Sequence, residues 1–276
     1  MVAASGILYV VTIVLYSLSV FGYFIDFLTN NRKANKIAFW LLSIVWVLQT
    51  FFFITRALQY TRLPVITPFE GLFFYAWLLV SLSLLINRFF RIDFFVFFTN
   101  VVGFIMMAFS LFATGADVPV ELEALLTSEV LFLHITFILL SYTAFTFAFV
   151  FSILYLLQHQ MLKKKQWGKR LVRLGNLPRM EQLTFWMTVS GVPLLLVGLI
   201  LGFVWAWIQF EMVPLIDAKI IGSLLVLLAY SIFLYTWIVK GKRGYDMMLW
   251  NVAGFLLVLV NYFLTRVLTD FHIWYV

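Results

Sequence analysis

The chain has 276 residues, of which 64% are hydrophobic and 11% charged, with a formal net charge of +7. This composition excludes a folded water-soluble domain, and the absence of cysteine excludes disulfides, iron–sulfur clusters and cysteine zinc sites. Because about 20 apolar residues cross a bilayer core about 30 Å thick, the long apolar runs predict a polytopic membrane protein.

About eight apolar runs follow one another along the chain, joined by short loops. Continuous runs without period-two alternation predict helices and not a barrel. We therefore expect an all-α fold with about eight transmembrane helices in a single integral membrane domain over residues 1–276. The expected spans are 5–28, 37–57, 69–86, 94–114, 130–157, 183–210, 218–239 and 247–268.

The loops between these spans alternate in charge. Every second loop is basic, and together these loops hold 15 of the 19 basic residues: Arg32, Lys33, Lys36, Arg88, Arg91, Lys163, Lys164, Lys165, Lys169, Arg170, Arg173, Arg179, Lys240, Lys242 and Arg243. The other side keeps Arg56, Arg62, Lys219 and Arg266, together with Glu70, Asp117, Glu121, Glu123, Glu129, Glu211, Asp217 and Asp270. The positive-inside rule then predicts that both termini lie outside. The basic charge is explained by orientation, so no nucleic-acid partner is expected.

Two of the expected helix starts carry capping signals. Residues 67–70 read Thr-Pro-Phe-Glu, a capping box with proline at the first helical position. Asp217 stands where an N-cap would begin the seventh span. In the sixth span, Gly198 and Gly202 have the small-xxx-small spacing that lets two helices approach closely. We therefore expect that helix to pack inside the bundle.

Three histidines are present, and the expected topology separates them. His134 lies near the outer end of the fifth span and His272 lies just beyond the outer end of the eighth. Two imidazoles on one membrane face could be the axial ligands of a haem iron. Alternatively, each is an interfacial histidine in contact with water, and the two interpretations are left open. His159, at the inner end beside a lysine run, is interpreted as solvated surface.

Aromatic and basic residues on the outer side allow a haem site but do not require one. Trp205 and Trp207 could wall a flat porphyrin, although tryptophan at an interface is also typical of the aromatic belt, which the local pattern favours. The haem propionates need cations, and the outer side has few. Arg56, inside the end of a span, is the candidate propionate partner. Its alternative role is snorkelling to the headgroups.

The inner loop from Lys163 to Arg173 is basic with interleaved apolar residues. This pattern favours an interfacial segment held on anionic lipid. A docking surface for an acidic soluble protein is the second interpretation.

Several motifs together resemble the cytochrome c assembly proteins of the CcsA and CcmC kind. They are Pro68-Phe69-Glu70-Gly71-Leu72-Phe73, Leu133-His134-Ile135, Tyr142-Thr143-Ala144-Phe145, Gly202-Phe203-Val204-Trp205-Ala206, Asp217-Ala218-Lys219 and a histidine after the last span. The resemblance implies b-type haem, with His134 and His272 as ligands on the outer face. It also implies that the tryptophan segment lines the site and that Glu70 and Asp217 belong to it.

Departures from the family pattern favour one branch of that family. Trp207 is followed by Ile208 instead of further tryptophans, and Tyr235 stands where the CcsA proteins have a histidine. The eight-span branch that this chain resembles most implies a non-enzymatic negative effector of the level of glutamyl-tRNA reductase, the first committed enzyme of haem biosynthesis.

The sequence allows two other functions. The alternative within the family is a cytochrome c assembly factor that presents haem to apocytochrome on the outer face. A solute transporter ranks last, because the central parts of the spans carry no ionisable pair. The expected partners are haem, the lipid bilayer and, as an open alternative, a cytoplasmic haem-biosynthesis enzyme. The expected location is the plasma membrane of a bacterium, as a multi-pass protein.

Overall fold

The computed structural model describes residues 2–60, 64–65, 67–90, 93–112, 128–211 and 216–263. Within these ranges all regular structure is helical, in eight long helices and one short one. They are α1 Val2–Thr29, α2 Arg32–Tyr60, α3 Pro68–Phe90, α4 Asp93–Ser110, α5 Glu129–Lys163, α6 Lys169–Leu174, α7 Leu177–Phe210, α8 Ala218–Ile238 and α9 Tyr245–Phe263.

The all-α multi-pass prediction is confirmed. Seven of the described helices are long and apolar enough to cross a membrane, and α4 contributes a shorter apolar helix, Phe94–Ser110. Within the described residues each predicted span overlaps one long helix, and residues 113–114 of the fourth span and 264–268 of the eighth lie outside them. The differences lie at helix ends: α5 continues to Lys163 and α7 begins at Leu177, because a helix can extend past the apolar core with polar side chains reaching water.

The helices divide between two compact units, one of residues 1–115 and 166–175, the other of residues 116–165 and 176–276. In the first unit, α1 packs on α2 and α4, while α3 packs on α4 and α2. In the second unit, α5 packs on α7 and α9, while α8 packs on α9 and α7. The single integral membrane domain over 1–276 stays a prediction.

A stripe of polar side chains runs along the buried face of α1. Its members are separated by three and four residues in turn, which places them on one side of the helix, and all are buried: Tyr9, Thr12, Tyr16, Ser19, Tyr23 and Asp26. The Tyr9 hydroxyl donates to the carbonyl oxygen of Met107 at 2.7 Å. The Tyr16 hydroxyl donates to Asn100 Oδ1 at 2.9 Å. Lipid cannot satisfy such groups, so α1 hydrogen-bonds to α4 inside the first unit.

An ion pair lies at one end of this stripe. The Arg173 guanidinium donates from both Nη atoms to the Asp26 carboxylate, at 2.8 and 2.6 Å, and both side chains are buried. Asn35 Nδ2 donates to the same carboxylate at 2.8 Å. The guanidinium also lies 4.7 Å from the Phe94 ring centroid. Within the first unit Arg173 thus holds α6 to α1, and the neighbouring Leu174 is also buried.

This contact changes the interpretation of the inner loop. The sequence placed Arg173 among the basic charges of an exposed loop, but the structure places its side chain inside the first unit. The apolar residues of the segment are divided: Leu171 is buried, whereas Trp167 and Val172 are exposed. Exposed apolar side chains next to lysines remain typical of a segment on a membrane surface.

Cysteines introduced at Ile216 and Gln166 are expected to report opposite sides of the membrane. Both positions are exposed, and the chain has no cysteine of its own to give background labelling. From the charge distribution, an impermeant thiol reagent should label position 216 in intact cells, and position 166 only after permeabilisation. The reverse labelling would contradict the predicted orientation of both termini.

Candidate functional site

His134 lies in the second turn of α5 with its ring directed at α7. Its Nδ1 atom is 2.6 Å from the carbonyl oxygen of Gly198. A carbonyl can only accept a hydrogen bond, so Nδ1 must carry the proton and donate it. The neutral ring then keeps its lone pair on Nε2. The contact therefore fixes both the orientation and the tautomer of the imidazole.

Gly202 provides the surface on which this ring rests. A Cβ atom at position 202 would lie 2.6 Å from His134 Cε1 and 2.7 Å from Nδ1, closer than side chains tolerate. Gly198 is one turn earlier on the same face of α7, and a Cβ there would lie 2.7 Å from Ile138 Cδ1. The close approach predicted from the two glycines is confirmed. Sequence reasoning missed that Gly202 also leaves the space that the His134 imidazole occupies.

The two predicted wall residues lie on different sides of α7. Trp205 is buried and meets Phe210 edge to face, with ring centroids 5.7 Å apart. Trp207 is 63% exposed. Residues two apart on a helix point about 200° apart, so α7 turns Trp205 towards the face of Gly198 and Gly202 and turns Trp207 away from it. The structure thus brings Trp205, and not Trp207, to the side where His134 sits.

Asp217 forms the N-cap of α8, as the sequence predicted. Its Oδ1 accepts from the backbone N–H of Lys219 at 2.9 Å and of Ile220 at 3.3 Å. The Lys219 ammonium lies 5.3 Å from the Tyr262 ring centroid. A structural role therefore accounts for one carboxylate oxygen of Asp217.

Replacing Asp217 with alanine is expected to lower the free energy of unfolding by about 0.5–2 kcal/mol, because α8 loses its cap acceptor. Asparagine keeps an acceptor and should cost far less. Denaturant unfolding of the detergent-purified variants measures the difference. If Asp217→Asn were stable yet lost haem, the carboxylate would serve the cofactor as the family resemblance implies.

A buried hydrogen-bond network that sequence reasoning missed joins α5, α8 and α9. Asn261 Nδ2 donates to the Tyr142 hydroxyl and to Ser223 Oγ, each at 3.1 Å. Ser223 Oγ in turn donates to the carbonyl oxygen of Lys219 at 2.8 Å. Tyr142 is about 12 Å along α5 from His134, at 1.5 Å per residue. The available signal was the occurrence of polar residues within apolar spans.

The other predicted site residues lie in the first unit or outside the described ranges. The Arg56 guanidinium lies 5.5 and 5.4 Å from the ring centroids of Phe52 and Phe69. Glu70 forms the predicted capping box: its N–H donates to Thr67 Oγ1 and its Oε2 accepts from Thr67 N–H, each at 3.1 Å. Their roles towards a cofactor stay predictions.

The other two histidines are His272 and His159. His272 lies outside the described residues, so its role as a ligand also stays a prediction. The His159 ring lies 5.1 Å from Tyr245 and 6.2 Å from Tyr155, centroid to centroid. In the parts of the chain that the structure describes, no group of three or more histidine, aspartate or glutamate side chains could hold a metal ion. A haem iron takes only one or two protein ligands.

The chain is similar to several known proteins. It matches the family described as Cytochrome C assembly protein over residues 65–273. It is 49% identical over 261 residues to Protein HemX of Bacillus subtilis (strain 168), covering 95% of each chain. It is 45% identical over 269 residues to Protein HemX of Brevibacillus brevis, covering 97% of this chain and 98% of the relative. It is 26% identical over 226 residues to Cytochrome c biogenesis protein CcsA of Mesostigma viride, covering 72% of each.

Proposed function

Because the chain belongs to the cytochrome c assembly protein family, we propose that it is a haem-binding membrane protein in which His134 is an axial ligand. The observation that carries this proposal is the hydrogen bond from His134 Nδ1 to the Gly198 carbonyl oxygen at 2.6 Å. Histidines that ligate metals commonly donate their other ring N–H to a carbonyl or carboxylate, which fixes the ring and makes it a better ligand. Haem, when bound, supplies an iron that accepts nitrogen ligands and two anionic propionates.

The residues around His134 fit this role. The ring is half-buried, so part of it stays accessible. Gly202 leaves space for it, and the buried Trp205 adds an aromatic surface on the same face of α7. The residues of the second unit thus orient one ligand before any cofactor arrives. We propose b-type haem, with His272 as the second ligand from the family resemblance.

We further propose that the protein is not an enzyme and acts as a negative effector of the level of glutamyl-tRNA reductase. Support comes from the match to two proteins named HemX over at least 95% of this chain. The family resemblance of the sequence points to that role for this branch. On this proposal the haem site senses haem, and the exposed lysines Lys163, Lys164 and Lys165 are available to a cytoplasmic partner.

The absorption spectrum of the detergent-purified protein tests haem binding. We expect a Soret band of low-spin haem, as two axial nitrogen ligands produce. Protein purified without any bound haem, and unable to take up added haem, would contradict the proposal.

The level of the reductase on overproduction of the membrane protein tests the second part. We expect that level to fall. A variant with Lys163, Lys164, Lys165, Lys169 and Arg170 changed to glutamine should lose the effect at normal membrane abundance if the loop binds the partner. An undiminished effect would leave lipid anchoring as the role of those charges.

The alternative is a cytochrome c assembly factor. It is favoured by the similarity to CcsA proteins, 26% identical in Mesostigma viride and 25% in Chlamydomonas reinhardtii. Deleting the gene discriminates between the two functions. Loss of c-type cytochromes would support assembly, whereas a raised reductase level with normal cytochromes would support the effector.

A further inference from the structure

A groove of about 580 Å³ lies at the basic end of the second unit. Three turns of α5 and its C-cap residue Lys164 form most of it, and the first residue of α9 forms the rest. The lining residues are Ile153, Leu156, Leu157, Gln160, Lys163, Lys164 and Tyr245. The α5 residues are spaced by three and four positions, which places them on one face of the helix.

The two ends of the groove differ in polarity. One end is apolar, lined by Ile153, Leu156 and Leu157, and the other, called the mouth below, is polar, lined by Gln160 and two exposed lysines. From position 153 to position 163 the helix rises about 15 Å. A ligand that fits both parts therefore has an anionic group at one end and an apolar chain that extends at least 10 Å from it.

The expected position of the groove in a bilayer further restricts which ligand it can bind. Helix α5 has 35 residues and is therefore about 52 Å long, well beyond the hydrocarbon core of about 30 Å. A hydrocarbon core centred on α5 would end near Leu156 and Leu157, so we expect these side chains at the depth of the acyl chains and Lys163 and Lys164 at the headgroup level. The nearby carboxylate of Glu181 is engaged by the N–H of Gly244, which donates to Oε1 at 2.7 Å.

We propose that this groove is a binding site for one anionic phospholipid. Lys163 and Lys164 contact the phosphate, Gln160 contacts the headgroup, and an acyl chain lies along Ile153, Leu156 and Leu157. A free phosphate would fill only the mouth of the groove. An acidic segment of a soluble protein would leave the apolar part unfilled. This proposal is independent of haem binding, because it involves none of the residues around His134.

Native mass spectrometry of the detergent-purified full chain with added phosphatidylglycerol or phosphatidylcholine tests the site. The wild type should retain phosphatidylglycerol in preference to phosphatidylcholine. Lys163→Gln with Lys164→Gln should weaken retention about 25-fold, since each lysine near anionic lipid contributes roughly a factor of five. Both side chains are exposed, so the double variant should fold normally.

Two further variants separate a lipid site from general charge. Lys33→Gln with Lys36→Gln removes the same charge from another basic loop, at two exposed positions outside the groove, and should leave retention unchanged. Leu156→Trp fills the apolar part with both lysines intact and should weaken retention of the lipid.

Four outcomes would overturn the proposal. The first is that the Lys33 and Lys36 control loses as much phosphatidylglycerol as the Lys163 and Lys164 variant, and the second is that the wild type retains phosphatidylcholine equally well. The third is that glycerol phosphate competes as strongly as the whole lipid. The fourth is that the Lys163 and Lys164 variant retains as much lipid as the wild type. In the last case, a loss of the effect on the reductase would assign the two lysines to a protein partner.

Discussion

Replacing His134 with alanine is expected to convert bound haem from low spin to high spin and to lower its occupancy roughly tenfold or more. The physical reason is the loss of Nε2, the nitrogen that the hydrogen bond to Gly198 leaves available for iron. Absorption spectra of the purified protein measure both effects. His159→Ala is the matched control, because that ring lies beside Tyr155 and Tyr245 at the other end of α5. Indistinguishable spectra for the wild type and His134→Ala would remove His134 from the site.

Gly202→Ala tests the same site without removing the ligand. The added methyl group would lie 2.6 Å from the ring, so the imidazole must shift away from the position set by the Gly198 carbonyl. Disturbing the groups that orient a metal ligand typically weakens binding about 10- to 100-fold. Gly191→Ala controls for helix packing, because its Cβ would meet the Phe145 ring at 2.6 Å on the same pair of helices. It should leave the haem spectrum unchanged.

Replacing Arg173 with glutamine is expected to destabilise the protein by about 3–5 kcal/mol. The change leaves the Asp26 carboxylate buried with Asn35 as its remaining hydrogen-bond donor among the contacts described. Thermal or denaturant unfolding in detergent measures the loss. Lys165→Gln, an exposed position in the same segment, should change stability by less than about 0.5 kcal/mol.

A double variant shows whether the loss comes from the uncompensated charge. Asp26→Leu with Arg173→Met removes both charges and should be much more stable than Arg173→Gln, since apolar pairs often replace buried ion pairs at little cost. If Arg173→Gln were as stable as the wild type, the pair would contribute nothing to the first unit. Equal loss in the single and double variants would assign the effect to packing around Phe94 instead.

The helices could be predicted because the apolar runs are long and the polar residues between them mark the ends. The capping box at Thr67 and the N-cap at Asp217 depend on residues within three positions, which sequence shows directly. The ends of α5 and α7 were predicted less well, since lysine, glutamine and arginine are good helix formers that do not register as apolar. Local signals thus determine most of the secondary structure.

The candidate site could be predicted only in part, because its geometry depends on contacts between distant residues. Sequence identified His134 as a candidate and Gly198 with Gly202 as a packing motif, but the two are 64 positions apart and nothing local joins them. The pairing of Tyr142 with Asn261 spans 119 positions. To predict which tryptophan faces the site, one must know the rotation of α7 about its own axis, and hydropathy alone does not provide it.

The separation of Asp26 and Arg173 along the chain has a consequence for biosynthesis. The two residues are 147 positions apart. At a translation rate of 5–20 residues per second, roughly 7–30 s pass between their syntheses. During that interval the Asp26 carboxylate of α1 lacks the arginine that neutralises it. Helix α5 must be synthesised before that arginine is. The ion pair within the first unit therefore cannot form until α5 has been synthesised, so this contact of the first unit depends on synthesis of part of the second unit.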